Sequence, residues 1–156
     1  MHYEAGFNFR MTGFQAALGR AQLNKIDHII AEKRRVAHTY MRYIKNIPGM
    51  QLPTEMEWAF NVFWMFAVVV TPEFGISRDQ LVHALSSEGI QTRTFFCPMN
   101  QQPLLKSIPG FQETLCPVAD GLWENGLYLP SSWNLKEETI KHIVESIQKA
   151  RATGQE

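Results

Sequence analysis

Cysteine is scarce, with only Cys97 and Cys116 among 156 residues. Two separated thiols cannot make a disulfide framework and lack the paired spacing of a zinc site. Both are expected as small core residues, and the setting they suit is reduced and cytoplasmic. Net charge is missing too: 15 Lys and Arg balance 15 Asp and Glu, so no global field recruits nucleic acid or an anionic membrane. No apolar run approaches the roughly 18 residues that cross a bilayer, and the start has no signal-peptide pattern. The glycines are scattered, so no phosphate-cradling loop precedes a helix. His2, His28, His38, His83 and His142 show no metal-ligand spacing and are expected at the surface. Repeats and low-complexity tracts are absent.

What remains is a chain built to fold. It is 45% hydrophobic and 19% charged, enough for a sizeable core in one domain, or one domain plus an appendage. After an opening turn, Thr12 and Gln15 have the form of a capping box. Phe14, Ala17, Leu18, Ala21, Ile26, Ile29, Ile30, Ala37, Tyr40, Met41 and Ile44 then recur at helical spacing. Lys25, Glu32, Lys33, Arg34 and Arg35 fall largely between them and read as a wet face. This pattern predicts one long helix over 12–46, about 50 Å at the standard rise, stopped by Pro48 and Gly49.

"VFWMFAVVV" (62–70) reads as a central strand, since polar residues are lacking. "SRDQLVHALSSEG" predicts a short helix capped by Ser77 and ended at Gly89. "IQTRTFF" predicts a strand with Ile90, Thr92 and Thr94 on one side and Gln91, Arg93 and Phe95 on the other. A Pro-punctuated loop with one helical turn follows. Next come a helix tolerating Pro117 in its first turn, the short strand "LYLP", and a final amphipathic helix carrying Ile140, Ile143, Val144 and Ile147. The order predicts an α/β (α+β) unit: a long helix, then a small sheet covered by helices. Glu55 with Glu57, and Glu137 with Glu138, read as exposed acidic pairs.

Two stretches offer more than architecture. "GFNFRMT" alternates Asn8 and Arg10 with aromatics just before a helix N-terminus, where backbone amides favour anions. "TRTFFCPMNQQP" ends a strand in aromatics and a polar loop, a common place for binding groups.

"GFNFRMTGFQAALGRAQLNKID" closely resembles the G-[YF]-N-[YF]-R-M-T…QAA-[IL]-G…AQL-x-K-[LI]-D segment of DegT/StrS-type sugar aminotransferases. The likeness continues through "NVFWMFAVVV", "SRDQLVHALSSEGIQTRTFFCPMNQQP" and "CPVADGLWENGLYLPSSWNLKEETIKHIVESI". Within the family, "VFWMF" with "GIQTRTFFCPM" looks most like the perosamine-forming branch. The resemblance implies a fold-type I enzyme that uses pyridoxal 5′-phosphate (PLP) to aminate a nucleotide-linked 4-keto-6-deoxy sugar for cell-surface polysaccharide, with glutamate as donor. It covers the family's C-terminal part: residues 1–11 as an interdomain and dimer-interface turn, 12–46 as a linking helix, 47–156 as the small domain.

The large domain, with the lysine that binds PLP covalently, would lie upstream. Lys25, Lys33, Lys45, Lys106, Lys136, Lys141 and Lys149 all fall at helix-surface or loop positions, and none matches the family's lysine motif. By the family pattern, Asn8 reaches the PLP phosphate of the neighbouring subunit, and Arg10 braces that turn or meets the substrate. Phe96 and Asn100 border the sugar pocket. Relatives often carry His where Asn100 stands, so only hydrogen bonding remains there. The expected partners are the large domain, a second copy and the sugar nucleotide. The apolar faces near Phe7, Phe9, Phe14 and Leu18 should then be exposed or paired with another copy. The family's dehydratase branch and a non-catalytic dimerisation module are the alternative readings, and isolated 1–156 is expected to be inactive.

Overall fold

The structure is a computed structural model that describes residue 1 and residues 11–111 and 114–154. Thr12 caps helix α1 (Gly13–Leu23) through the expected reciprocal bonds with Gln15. The chain does not continue as one rod. Lys25 leaves the helical region at φ −112° and ψ 7°, and its amide donates to the Gln22 carbonyl in a tightened turn. Helix α2 (Ile26–Ile44) then starts afresh. Every residue of α1 is exposed, whereas α2 buries Val36, Ala37, Tyr40 and Ile44. The apolar spacing is therefore helical throughout, but only its second half packs on this domain.

The sheet has four antiparallel strands in the order β1 (Met50–Gln51), β2 (Phe66–Val70), β4 (Gly126–Leu129), β3 (Arg93–Thr94). The apolar run 62–70 is central as expected, but its strand begins only at Phe66. Phe63 sits in the left-handed region at φ 47°, an uncommon state for a bulky residue, and its amide donates to Asn61 Oδ1 at 2.8 Å. That turn buries Phe63 and turns Trp64 outward. "IQTRTFF" pairs only at Arg93 and Thr94, because β4 offers a short partner. Its alternation survives: Ile90 is buried in the core, while Phe95 stacks on Tyr128.

Phe66, Val68, Val70, Leu127 and Leu129 face a core shared with α2, α3 (Arg78–Ser87) and α6 (Glu137–Thr153). Ser77 caps α3 with a second capping box, and Gly89 just past its end has φ 76°. The Pro-rich loop after β3 holds the one-turn α4 (Pro103–Lys106). Helix α5 (Pro117–Asn125) begins on its proline and reaches the outer sheet face, where Leu122 borders Ala67, Val69 and Phe95. Cys97 and Cys116 are free and half-buried rather than core residues, since the loop and helix that carry them lie on this thinly covered side. The four described histidines are exposed.

Glu55 is not the open acid expected of an exposed pair. Arg34 donates to both its oxygens, at 2.7 and 3.1 Å, and to the Asn61 carbonyl at 2.6 Å. The Asn61 amide donates to Glu55 Oε1 at 2.7 Å, and Arg34 lies 4.3 Å from the Phe60 ring centroid. The Arg34 hydrogen bonds, with that amide second, hold the Glu55 carboxyl well below its ordinary 4.5, at about 2. A depressed carboxylate stabilises the fold above its unfolded pKa and ceases to as pH falls through the folded one. Melting temperature should therefore fall between pH 4.5 and pH 2 more steeply in the natural chain than in Glu55→Gln. Parallel curves for the two would remove this role.

Candidate functional site

Two clefts meet along edge strand β3. The first, about 490 Å3, is lined by Lys33, Trp64, Gln91, Arg93, Tyr128 and Ser131 among others. The second, about 540 Å3, runs from Thr92 to Cys97 and reaches Trp123. Arg93 belongs to both.

Lys33 is the hinge pin of the first cleft. It is one turn before Val36 and Ala37 on the buried stripe of α2, and it is half-buried. Its Nζ donates to the Trp64 carbonyl at 2.9 Å, the Ser131 hydroxyl at 3.2 Å, and the Ser131 carbonyl. These bonds tie the chain entering β2 to the chain leaving β4. Burial lowers the Lys33 pKa. Its stripe position was the signal that a wet-face reading of the 33–35 basic run passed over; of that run Arg35 is the exposed member.

Arg93 and Tyr128 are direct cross-strand partners, so their side chains share the outer sheet face. Phe95 stacks on Tyr128 with centroids 4.7 Å apart. Burial raises the Tyr128 pKa.

Of the residues singled out in the sequence, Phe96 lines the second cleft and is 70% exposed. Asn100 lies in a short 3-10 turn, and its amide donates to the Thr114 carbonyl at 3.1 Å. The two share the loop after β3, but Asn100 is not among the residues lining either cleft. Asn8 and Arg10, with Phe7 and Phe9, lie outside the described residues. Phe14 and Leu18 are exposed, Phe14 at 82%. Among the described residues no His, Cys, Asp or Glu cluster could hold a metal, and no helix is long and apolar enough to cross a membrane.

The model of the DegT/DnrJ/EryC1/StrS aminotransferase family matches residues 1–148. The chain belongs to that family. This family member is 31% identical over 147 residues to GDP-perosamine synthase of Vibrio cholerae, an alignment covering 94% of the chain and 39% of the relative. It therefore spans about two-fifths of the length of such relatives. Helicobacter pylori PseC, described as an aminotransferase in pseudaminic acid biosynthesis, superposes with a TM-score of 0.81 at 22% identity, over 96% of this chain and 40% of that one. An E. coli GDP-4-keto-6-deoxy-D-mannose-3-dehydratase with bound hydrated PLP superposes at 0.78 and 24%, over 91% and 36%. Both confirm the expected fold of a small sheet covered by helices.

The family's aminotransferases depend on PLP. Lys25, Lys45, Lys106, Lys136, Lys141 and Lys149 are exposed, and Lys33 spends its three donors on Trp64 and Ser131.

Proposed function

We propose that this chain is the small domain of a PLP-dependent sugar-nucleotide aminotransferase, acting on a GDP-linked 4-keto-6-deoxy sugar with glutamate as amino donor. The observation that carries this reading is the likeness to GDP-perosamine synthase over 94% of the chain. Bound PLP supplies the carbonyl on which an amino group passes from donor to acceptor. The covalent lysine belongs to a large domain that pairs with this one.

In this reading Asn8 donates its amide to the PLP phosphate of the neighbouring subunit, adding no charge to a site that already holds an anion. Arg10 braces the same turn or meets substrate. Phe96 presents an exposed ring to the sugar, and Asn100 hydrogen-bonds without taking up or releasing a proton. The exposed faces of Phe14 and Leu18 suit burial between copies in a homodimer. Polysaccharide-precursor synthesis of this kind takes place in the cytoplasm.

The test replaces the matching segment of the V. cholerae relative with residues 1–148 and assays GDP-4-keto-6-deoxymannose with glutamate. The expected product is the GDP-linked amino sugar, and Asn8→Ala should weaken PLP retention. The 156-residue chain alone, treated with PLP and borohydride, should trap no stoichiometric lysine adduct. A folded, PLP-loaded chimera that makes no amino sugar, or a stoichiometric adduct on the chain alone, overturns the reading.

A further inference from the structure

Arginine is the wrong residue for the place where Arg78 stands, if α3 alone decided. It opens the helix directly after the Ser77 cap, where the positive end of the dipole disfavours a cation. Asp79 beside it is the charge that such a turn prefers. Yet the Arg78 side chain is only 11% exposed, so a residue that breaks the local rule has been packed in by a tertiary demand. Its guanidinium reaches the far end of another helix. Nη1 donates to the Trp123 carbonyl at 3.2 Å and to the Gly126 carbonyl at 3.0 Å, while Nε donates to Asp79 at 2.6 Å. The Trp123 carbonyl lies in the last turn of α5, where carbonyls lack internal partners and attract a cation.

Both carbonyls bear on the second cleft. Gly126 O also accepts the Phe95 amide at 3.3 Å, one rung beyond the β3–β4 pairing. The Phe95 ring rests on the bare Cα of Gly126, where a Cβ would come within 2.4 Å of it, and it stacks on Tyr128. Phe96 follows, exposed, and lines the cleft together with Trp123. Arg78 is not among the lining residues. It grips both sides of the cleft from behind, α5 through Trp123 and the exit of β3 through Gly126.

We propose that Arg78 is a positioning residue, which sets Phe96 against Trp123 and thereby the fit of the sugar nucleotide between them. Its effect on the sugar nucleotide rests on the aminotransferase reading, whereas the grip on α5 and β3 is a property of this chain alone.

Two measurements separate these levels. In the 156-residue chain, Arg78→Met keeps the apolar stem and removes the donors. Amide exchange followed by NMR should then quicken about 5-fold or more at Phe95 and Gly126, while Val144 and Ile147 on the buried face of α6 stay within about twofold of the parent. In the V. cholerae chimera, the same substitution should lower kcat/KM for the sugar nucleotide about 10-fold and leave kcat/KM for glutamate within about twofold. A mere loss of folded enzyme would lower both alike. Arg78→Lys, which keeps a charge and donors, should fall between parent and Arg78→Met in both readouts, and it carries the test should Arg78→Met not fold. Arg42→Gln, at an exposed arginine paired with Glu137, should match the parent in both. Unchanged exchange at Phe95 in a folded Arg78→Met overturns the proposal. So does an active chimera in which the two kcat/KM values fall in equal proportion, or neither falls. An inactive chimera, with the exchange pattern intact in the 156-residue chain, overturns the aminotransferase reading alone.

Discussion

Gly49→Ala is expected to cost about 3 kcal/mol or more, combining left-handed strain with overpacking. Gly49 has φ 76°, and a Cβ there would lie 2.0 Å from the Phe74 amide nitrogen and 2.4 Å from its Cα. Both are main-chain atoms of a fully buried residue, so no side chain can swing aside. The Gly49 carbonyl also accepts from the Thr71 amide at 2.8 Å, which pins the approach. Gly89 provides the control: it too has φ 76°, yet a Cβ there would meet nothing within 4 Å. Gly89→Ala should therefore lose only the conformational part, about 1 kcal/mol. Urea unfolding of both variants checks this, and equal losses would refute the close-approach argument.

Phe66→Ala should cost about 3–5 kcal/mol, the range for deleting a buried aromatic ring. Phe66 is fully buried on the central strand and stacks on Tyr40 of α2, with centroids 4.7 Å apart and planes 15° apart. Tyr40 in turn donates its hydroxyl to the Pro130 carbonyl at 2.9 Å, beyond the end of β4. Removing the ring opens a void where helix, β2 and β4 meet. Phe96→Ala removes the same atoms from an exposed loop position and should stay within about 0.5 kcal/mol of the parent. Denaturant midpoints of the pair separate the two cases; similar losses would mean that Phe96 is packed as a core residue.

Elements announced by local chemistry were legible in the sequence. Thr12 caps with Gln15 as its spacing announced, Ser77 caps the helix it was expected to start, Pro117 opens its helix, and the stripe Ile140, Ile143, Val144, Ile147 is buried. Features set by distant partners were not. The long apolar period hid the break at Lys25, because spacing alone does not reveal which half meets a core. Nothing in "VFWMF" announced the Phe63 turn, which depends on Asn61 and the Arg34 clamp. Strand β1 exists only because β2 lies alongside it. The same division holds at the candidate site. Phe96 and Asn100 could be placed in the strand-end loop from local pattern and family resemblance. The Lys33 cleft required knowing that the chain after β4 returns to the foot of β2.

The outermost strands of the sheet, Met50–Gln51 and Arg93–Thr94, are two residues each. An approaching backbone would find scarcely a rung on either side, so fibre-like growth by strand addition has little to build on. Recognition by this unit is left to side chains: indole, guanidinium and the bare apolar flank of the leading helix. Specificity of that kind follows from shape and charge, and point substitutions can retune it without disturbing the ladder beneath.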